Sequence, residues 1–169
     1  MRSRNLTNLI SDVRVRTQTE NMTPAYPDAV ITEWLNQGYA ELYEKQVMAK
    51  GADYFEKQKT FSTLANTANY LLPEDFYQLL SLEATINSQP VQLRRFTRAE
   101  RPLLAATSVF TLANPSAFTI HGQEIELRPI PAAGTSITVY YVPAPARMTV
   151  GGDSIDGVAG WEQYIIDWA

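Results

Sequence analysis

The chain has 169 residues, of which 45% are hydrophobic and 19% charged, and its formal net charge is −4. This composition is typical of a globular protein with one domain, or of a body with one insertion, and excludes a disordered chain. We expect no membrane span, because no run of about 18 apolar residues occurs, and no secretory signal at the N-terminus. The absence of cysteine excludes disulfides, thiolate catalysis and cysteine-based metal sites.

The charged residues are unevenly distributed along the chain. Residues 1–118 contain twelve basic and twelve acidic residues, whereas residues 119–169 contain two basic and six acidic residues. A broad surface that grips nucleic-acid phosphates needs clustered lysine and arginine. The acidic last third therefore argues against such a surface.

The first helix is predicted over residues 5–17, where apolar side chains recur at helical spacing and Asn5 or Thr7 can act as the cap. A polar connector follows.

A long second helix is predicted over residues 27–50, with Pro27 in its first turn and a stop near Gly51. Its apolar residues cover about half of the helical wheel, whereas an ordinary surface helix has a narrower stripe. This width favours burial on two sides, by the chain's own core and by a subunit contact. The alternative is a central helix of a monomer.

From residue 53 to residue 145 the pattern changes to short strands and turns. A short helical turn is predicted over residues 73–77 and a short helix over residues 95–106. His121 and Gly122 are predicted to form a two-residue hairpin turn. The predicted strands are residues 55–61, 70–72, 79–86, 91–93, 118–120, 124–127 and 135–142.

A glycine- and proline-rich break precedes the last predicted helix, in which Trp161, Tyr164, Ile165 and Trp168 share one face. Because this helix reaches Ala169 without a cap, we expect the natural chain to continue. The predicted fold is α+β. A small helical bundle, formed by residues 1–52 and by a linker and helix at 146–169, carries an antiparallel β-rich insertion at 53–145.

The sequence contains few candidates for chemistry. His121 is the only histidine and is interpreted as a turn residue, so no metal, cofactor or nucleophile–base pair is predicted. Residues 151–157 resemble a calcium loop but lack the closing glutamate, and are interpreted as a flexible loop. Glu33, Glu41 and Glu44 are interpreted as a solvated helix face. An enzyme is therefore not expected.

The densest basic cluster consists of Arg94, Arg95, Arg98 and Arg101. On a helix, three of these side chains would share one face and could meet phosphates or an acidic partner. Local ion pairing with Glu100 is the alternative.

Several segments together resemble a family of bacteriophage head–tail adaptor, or connector, proteins, over residues 4–169. They are ITEWLNQGYAELYEKQV, GADYFEKQKTFSTLANTANYLLPEDFYQLLSLEA, VQLRRFTRAER, FTIHGQEIELRPIPAAGTSITVYYVPAPARM and DSIDGVAGWEQYIIDWA. No single motif among them is diagnostic, but their order is similar to that of the family.

The resemblance implies a virion structural protein at the head–tail junction, assembled in the host cytoplasm. Such adaptors form a ring of copies, usually twelve, which docks on the portal protein and extends the DNA channel. The ring also provides a platform for the next neck or tail protein, and genomic DNA passes through it without specific binding. A C-terminal segment is expected to reach the portal, and no membrane is involved.

Two sets of residues are expected to serve this role. Aromatic side chains dominate interfaces, and channel walls that carry negative charge avoid gripping DNA. The predicted contact residues are Trp34, Tyr39, Tyr43, Arg94, Arg95, Arg98, Trp161, Tyr164 and Trp168, with the intramolecular core as the alternative for the aromatic ones. The predicted channel-facing acids are Asp153, Asp156, Glu162 and Asp167.

Other functions stay open at the level of sequence. A tail-completion or tail-terminator protein would be expected to show six-fold rather than twelve-fold symmetry. A nucleic-acid-binding module would use the arginine cluster, and a wall hydrolase would use a carboxylate pair.

Overall fold

The computed structural model describes residues 4–107, 114–155 and 160–169. Within these ranges, four α-helices and two mainly antiparallel sheets confirm the predicted α+β class. The chain divides into two compact units. The first unit contains residues 1–51 and 145–169, and the second contains residues 52–144.

The first unit begins with helix α1, Leu6–Thr17. The Asn5 side chain caps it, because Asn5 Oδ1 accepts a hydrogen bond from the Asn8 backbone N–H at 3.0 Å. Gln18 ends it in the left-handed conformation, at φ 57°.

Helix α2 spans Asp28–Lys50, so Pro27 lies at the cap position and not in the first turn. The helix ends at Gly51, whose φ of +87° favours glycine. Its own unit buries a wide arc of this helix, consisting of Ile31, Leu35, Gly38, Tyr39, Leu42, Tyr43, Gln46 and Val47. Most of the wide apolar surface inferred from the sequence is thus buried within the chain itself. Met48, in contrast, is 83% exposed.

The segment after residue 145 packs beside these helices. The Asn36 side chain bonds both backbone groups of Met148, at 3.0 and 2.9 Å. Gly151 lies so close to α1 that an added Cβ would sit 2.5 Å from Thr7 Oγ1. Helix α4, Glu162–Trp168, completes the unit by burying Ile165 and Ile166.

The second unit opens with a 3₁₀ turn, Ala52–Phe55, and contains helix α3, Arg101–Thr107. Its eight strands are β1 Lys57–Ser62, β2 Asn69–Leu71, β3 Phe76–Ile86, β4 Gln89–Gln92, β5 Arg94–Arg95, β6 Ala117–His121, β7 Glu124–Arg128 and β8 Ser136–Pro143. They form two four-stranded sheets, one ordered β1-β8-β3-β4 and the other β2-β7-β6-β5.

The two sheets share one core. It contains inward-facing side chains from both sheets, namely Leu82, Ala84, Leu93, Phe118, Ile125, Leu127, Ile137, Val139 and Tyr141. The edge strands of the two sheets also lie next to each other. A single residue, Leu93, connects β4 to β5. At the opposite edges, the Phe61 ring of β1 stacks on the Tyr70 ring of β2 at 5.0 Å. The unit is therefore a small β-sandwich.

The predicted helical turn at residues 73–77 is wrong. Phe76 and Tyr77 open β3, which pairs with β8. The Phe76 ring stacks on Tyr141 at 5.9 Å. Pro73 begins a tight turn and not a helical turn. In this turn the Phe76 N–H donates to Pro73 O at 3.1 Å. Long-range strand pairing decides the rest of this segment.

The predicted helix at residues 95–106 is also wrong in its first half. Arg94 and Arg95 form β5, which pairs in parallel with β6, and Phe96 is buried. Helix α3 begins only at Arg101, where Pro102 fits the first turn because no helical partner is needed for its missing N–H. The hairpin turn after β6 lies at residues 122–123, one residue later than predicted, so His121 ends the strand.

Candidate functional site

The aromatic residues of α2 differ in their accessibility. Tyr39 and Tyr43 are each 2% exposed, and their rings meet edge to face at 6.3 Å. Since both side chains are buried in the chain itself, they cannot offer contact surface to a neighbour in this conformation. The half-buried Trp34 lies 6.2 Å from the Tyr26 ring and lines a pocket of about 290 Å³. It is the accessible member of the predicted set.

Helix α4 is held on α2 by a carboxylate. Glu41 accepts hydrogen bonds from Lys45 Nζ at 2.7 Å, Tyr164 Oη at 2.9 Å and Trp168 Nε1 at 2.7 Å. These three donors lower the pKa of Glu41. The hydrogen bond between Lys45 and Glu41 also raises the pKa of Lys45. Tyr164 and Trp168 thus have partners within the unit.

Gly38 makes the close approach of α4 possible. A Cβ at this position would lie 3.2 Å from two atoms of the Trp168 ring. Trp168 is nevertheless 41% exposed, and Trp161, just before α4, is 45% exposed. These two indoles are the accessible aromatic surface of the C-terminal helix.

The predicted arginine face does not exist as a helix face. Arg94 lies in β5 and pairs with Glu100 at 2.9 Å, while Arg101 lies in α3 and pairs with Glu126 at 2.8 Å. The structure therefore supports local pairing for Arg94. Arg95 and Arg98 are exposed and have no ion-pair partner among the described residues.

Glu126 is the most buried ion-paired carboxylate of the second unit that the structure describes, with a side chain only 4% exposed. Burial raises its pKa, but hydrogen bonds from Arg128 and Arg101 outweigh this effect, so the pKa of Glu126 lies below its ordinary value. His121 Nε2 lies 3.8 Å from the same carboxylate. Glu126 holds α3 on β7 through Arg101, and this structural role explains why the carboxylate is buried.

The predicted channel acids have separate environments. Asp153 Oδ2 accepts hydrogen bonds from the Thr149 and Val150 backbone N–H groups at 2.7 and 2.8 Å, which lowers the pKa of Asp153. Glu162 is only 5% exposed and therefore offers no surface to a channel in this conformation. Asp167 pairs with Arg16. Asp156 lies outside the described residues.

Two of the three glutamates on the predicted solvated face of α2 have side-chain partners. Glu33 pairs with Arg147, and Glu41 holds α4, so of the three glutamates only Glu44 is exposed without an ion pair among the described residues. Glu33 and Arg147 also line a groove of about 680 Å³ in the first unit, together with the Arg14–Asp28 pair. The charges that line this groove are thus paired with each other.

Most basic residues are neutralised in the same way. In the part of the chain that the structure describes, nine lysines and arginines form ion pairs with carboxylates. No cluster of three or more histidine or carboxylate side chains in that part can hold a metal ion. In these ranges, no helix has both the length and the apolar character of a membrane span.

The family model of the SU10 adaptor protein matches residues 4–169. The chain belongs to this family of phage head–tail adaptors. None of the curated proteins searched matches the chain. As an SU10 adaptor, the chain has a structural role in the virion and contacts other head or tail proteins, and its family is not a class of enzymes.

Sequence reasoning missed two features of this adaptor. One is the contact of Glu41 with Tyr164 and Trp168 on α4. These residues are far apart in the sequence, so no local pattern indicates the contact. The other is Glu126, whose position between Ile125 and Leu127 in a β-strand places it on the opposite face from the core. That alternation was visible in the sequence, but the arginines that cover the carboxylate come from distant positions.

Proposed function

We propose that this adaptor forms a ring, twelve copies in the simplest case, that docks on the portal protein of its phage. The ring extends the DNA channel and carries the next neck or tail protein. Its contribution is surface and not chemistry, since side-to-side contacts between different faces close into a ring by rotation.

The observation that carries this proposal is the family match over residues 4–169. The charges add support. A channel through which DNA passes must not bind its phosphates, and nine basic side chains in the described ranges are already neutralised by carboxylates.

The C-terminal helix is proposed to supply the contact with the portal, through Trp161 and the exposed part of Trp168. Large aromatic side chains that stay about 40% exposed in an isolated subunit gain most from burial in an interface. Trp34 is proposed as a second contact, between ring neighbours. Asp153, Asp156 and Asp167 are proposed to face the channel.

The experiment is to co-express the chain with the portal protein of the same phage and to determine the symmetry of the complex by electron cryo-microscopy. We expect a twelve-fold ring on the portal. A subunit that stays monomeric beside the assembled portal would refute the proposal. A six-fold ring on a tail tube would instead favour a tail-completion protein.

A matched pair of variants tests the C-terminal contact. Trp161→Ala removes an indole that is 45% exposed, and Tyr77→Ala removes a phenol of the second unit that is 44% exposed. We expect the first to weaken portal binding by about tenfold or more, the order of one hot-spot residue, and the second to leave it unchanged. Equal effects would exclude a special role for Trp161.

A nucleic-acid-binding module is the competing function. It would require salt-dependent DNA binding by the isolated protein that is lost in the Arg95→Ala/Arg98→Ala variant. We expect no such binding, because the other two arginines of the cluster already pair with carboxylates.

A further inference from the structure

The β-sandwich has two opposite edges. The first edge consists of β1 and β2 with the flanking residues 53–56 and 72–75, and the second edge consists of β4 and β5 with residues 96–98. Two strands separate these edges in each sheet, namely β8 and β3 in one and β7 and β6 in the other. The edges therefore face away from each other.

Neither edge is suited to adding a strand from another chain. Lys57 and Lys59 on β1 lie opposite the inward-facing Tyr141 and Val139, so these lysines point to the inner face of the sheet at its margin. Inward-pointing charges at an edge oppose strand addition, as does proline, and β4 contains Pro90. A neighbour must therefore dock through side chains.

The first edge combines acidic and apolar side chains. Asp53, Glu56 and Glu74 are exposed and have no ion-pair partner among the described residues, whereas the edge has one such lysine, Lys59, so it carries an acidic excess. On the same edge, Leu71 of β2 is 73% exposed. This edge therefore offers an apolar side chain together with a net acidic charge.

The second edge combines basic and apolar side chains. Arg95 and Arg98 are its uncompensated charges within the described ranges, because Arg94 is held by Glu100. Val91 on β4 is 42% exposed. The two edges thus carry opposite charges around apolar side chains.

We propose that the first edge of one subunit docks on the second edge of the next, with Glu56 and Glu74 facing Arg95 and Arg98. This inference rests on the proposed ring and assigns its contact surface. The contact is heterologous, because a two-fold contact of either edge with itself would oppose like charges.

The test uses reversal of charge on one edge at a time. Glu56→Arg/Glu74→Arg gives a subunit with two basic edges, and Arg95→Glu/Arg98→Glu gives one with two acidic edges. Each variant alone is expected to lower the number of copies bound per portal by about tenfold, since like charges then meet. Glu20→Arg, an exposed reversal in the first unit, is the control and should assemble as the unchanged chain does.

An equal mixture of the two variants decides the geometry. In the mixture every basic edge can meet an acidic edge of the other variant, so alternating rings should form again, and the fourfold variant with both edges reversed should also assemble. Native mass spectrometry distinguishes the two subunits by mass. This recovery also demonstrates that both variants fold.

Cysteine cross-linking supplies a second readout, because the chain contains no cysteine. The Glu74→Cys/Arg95→Cys variant, assembled on the portal and treated with a short bismaleimide, should give a ladder of covalent trimers and larger species. Each single-cysteine variant should stay monomeric.

The outcomes separate the two proposals. Full assembly of both single-edge variants, no recovery in the mixture, or dimers from a single cysteine would overturn the edge contact while the ring stands. Failure of the unchanged chain to form a ring would overturn both.

Discussion

Replacement of Glu126 tests whether the carboxylate under α3 stabilises the second unit. Its side chain is 4% exposed, and it accepts hydrogen bonds from Arg128 Nε and Arg101 Nε, both at 2.8 Å. Removing the charge leaves these two guanidinium groups without their partner. Loss of one member of a buried pair costs about 3–5 kcal/mol, because an uncompensated charge stays behind.

The structure reduces this figure for one of the two arginines. The Arg128 side chain is 14% exposed, whereas that of Arg101 is 50% exposed and can be solvated once released. The Arg101 pair therefore contributes about 0–1 kcal/mol, the value of a surface pair. For Glu126→Gln, which keeps one neutral acceptor, we expect the free energy of unfolding to fall by about 2–3 kcal/mol.

Urea denaturation of Glu126→Gln, followed by circular dichroism, measures this loss. The control is Glu124→Gln on the same strand, which removes an exposed charge and should change the free energy of unfolding by less than about 0.5 kcal/mol. A combined Glu126→Leu/Arg128→Leu variant should regain most of the loss, because no unpaired buried charge remains. Equal, small effects of the two glutamine variants would refute the reasoning.

The pH dependence gives an independent check. Since the folded protein lowers the pKa of Glu126, its contribution is present above the unfolded value, about 4.3, and is lost as the pH falls through the lower folded value. The difference in stability between the unchanged chain and Glu126→Gln should therefore shrink with acidification below about pH 4. A difference that stays constant down to pH 2 would contradict the assignment.

Three further predictions concern other contacts. Glu41→Ala removes the acceptor of Trp168 Nε1, so amide hydrogen exchange in α4 should rise by about threefold or more while the β-sandwich is unaffected. Gly151→Ala should lower the free energy of unfolding by about 1–3 kcal/mol, because its Cβ would meet Thr7 Oγ1, and Thr7→Ala should relieve this effect in the double variant. Burial raises the pKa of Tyr141 to about 12, so stability should fall as the pH rises from 10 towards 12, and Tyr141→Phe should be less sensitive over this range, as thermal unfolding at each pH can measure.

The helices of the first unit were predictable because their signals are local. Helical spacing, the Asn5 cap and Gly51 place α1 and α2 to within one or two residues of their observed bounds. The wide apolar surface of α2 was also visible in the sequence, and the structure buries most of it. Its interpretation as a subunit contact was not decided by the sequence, since Tyr39 and Tyr43 prove to be buried in the chain itself.

The strand assignments were weaker where distant pairing overrides local preference. Phe76 and Tyr77 follow a proline and two acidic residues, a sequence that favours a helical turn. Yet both lie in β3, and Phe76 pairs with Pro143 on β8, more than sixty residues away. Arg94 and Arg95 have strand conformation only because β6 lies beside them. The helical face inferred from the arginine spacing does not form for the same reason.

The sequence alone determined the α+β class, the absence of cysteine chemistry, the uneven charge and the order of segments that resembles the adaptor family. These properties depend on composition and on neighbours within about one helical turn or one strand. Only the tertiary structure decided which charges are compensated and which side chains stay exposed. Arg101 and Glu126 become a pair through the folding of β7 and α3 against each other, whereas Arg95, beside β6, has no ion-pair partner among the described residues. Pairing between positions 25 residues apart depends on the path of the chain in space, which no local pattern in the sequence contains.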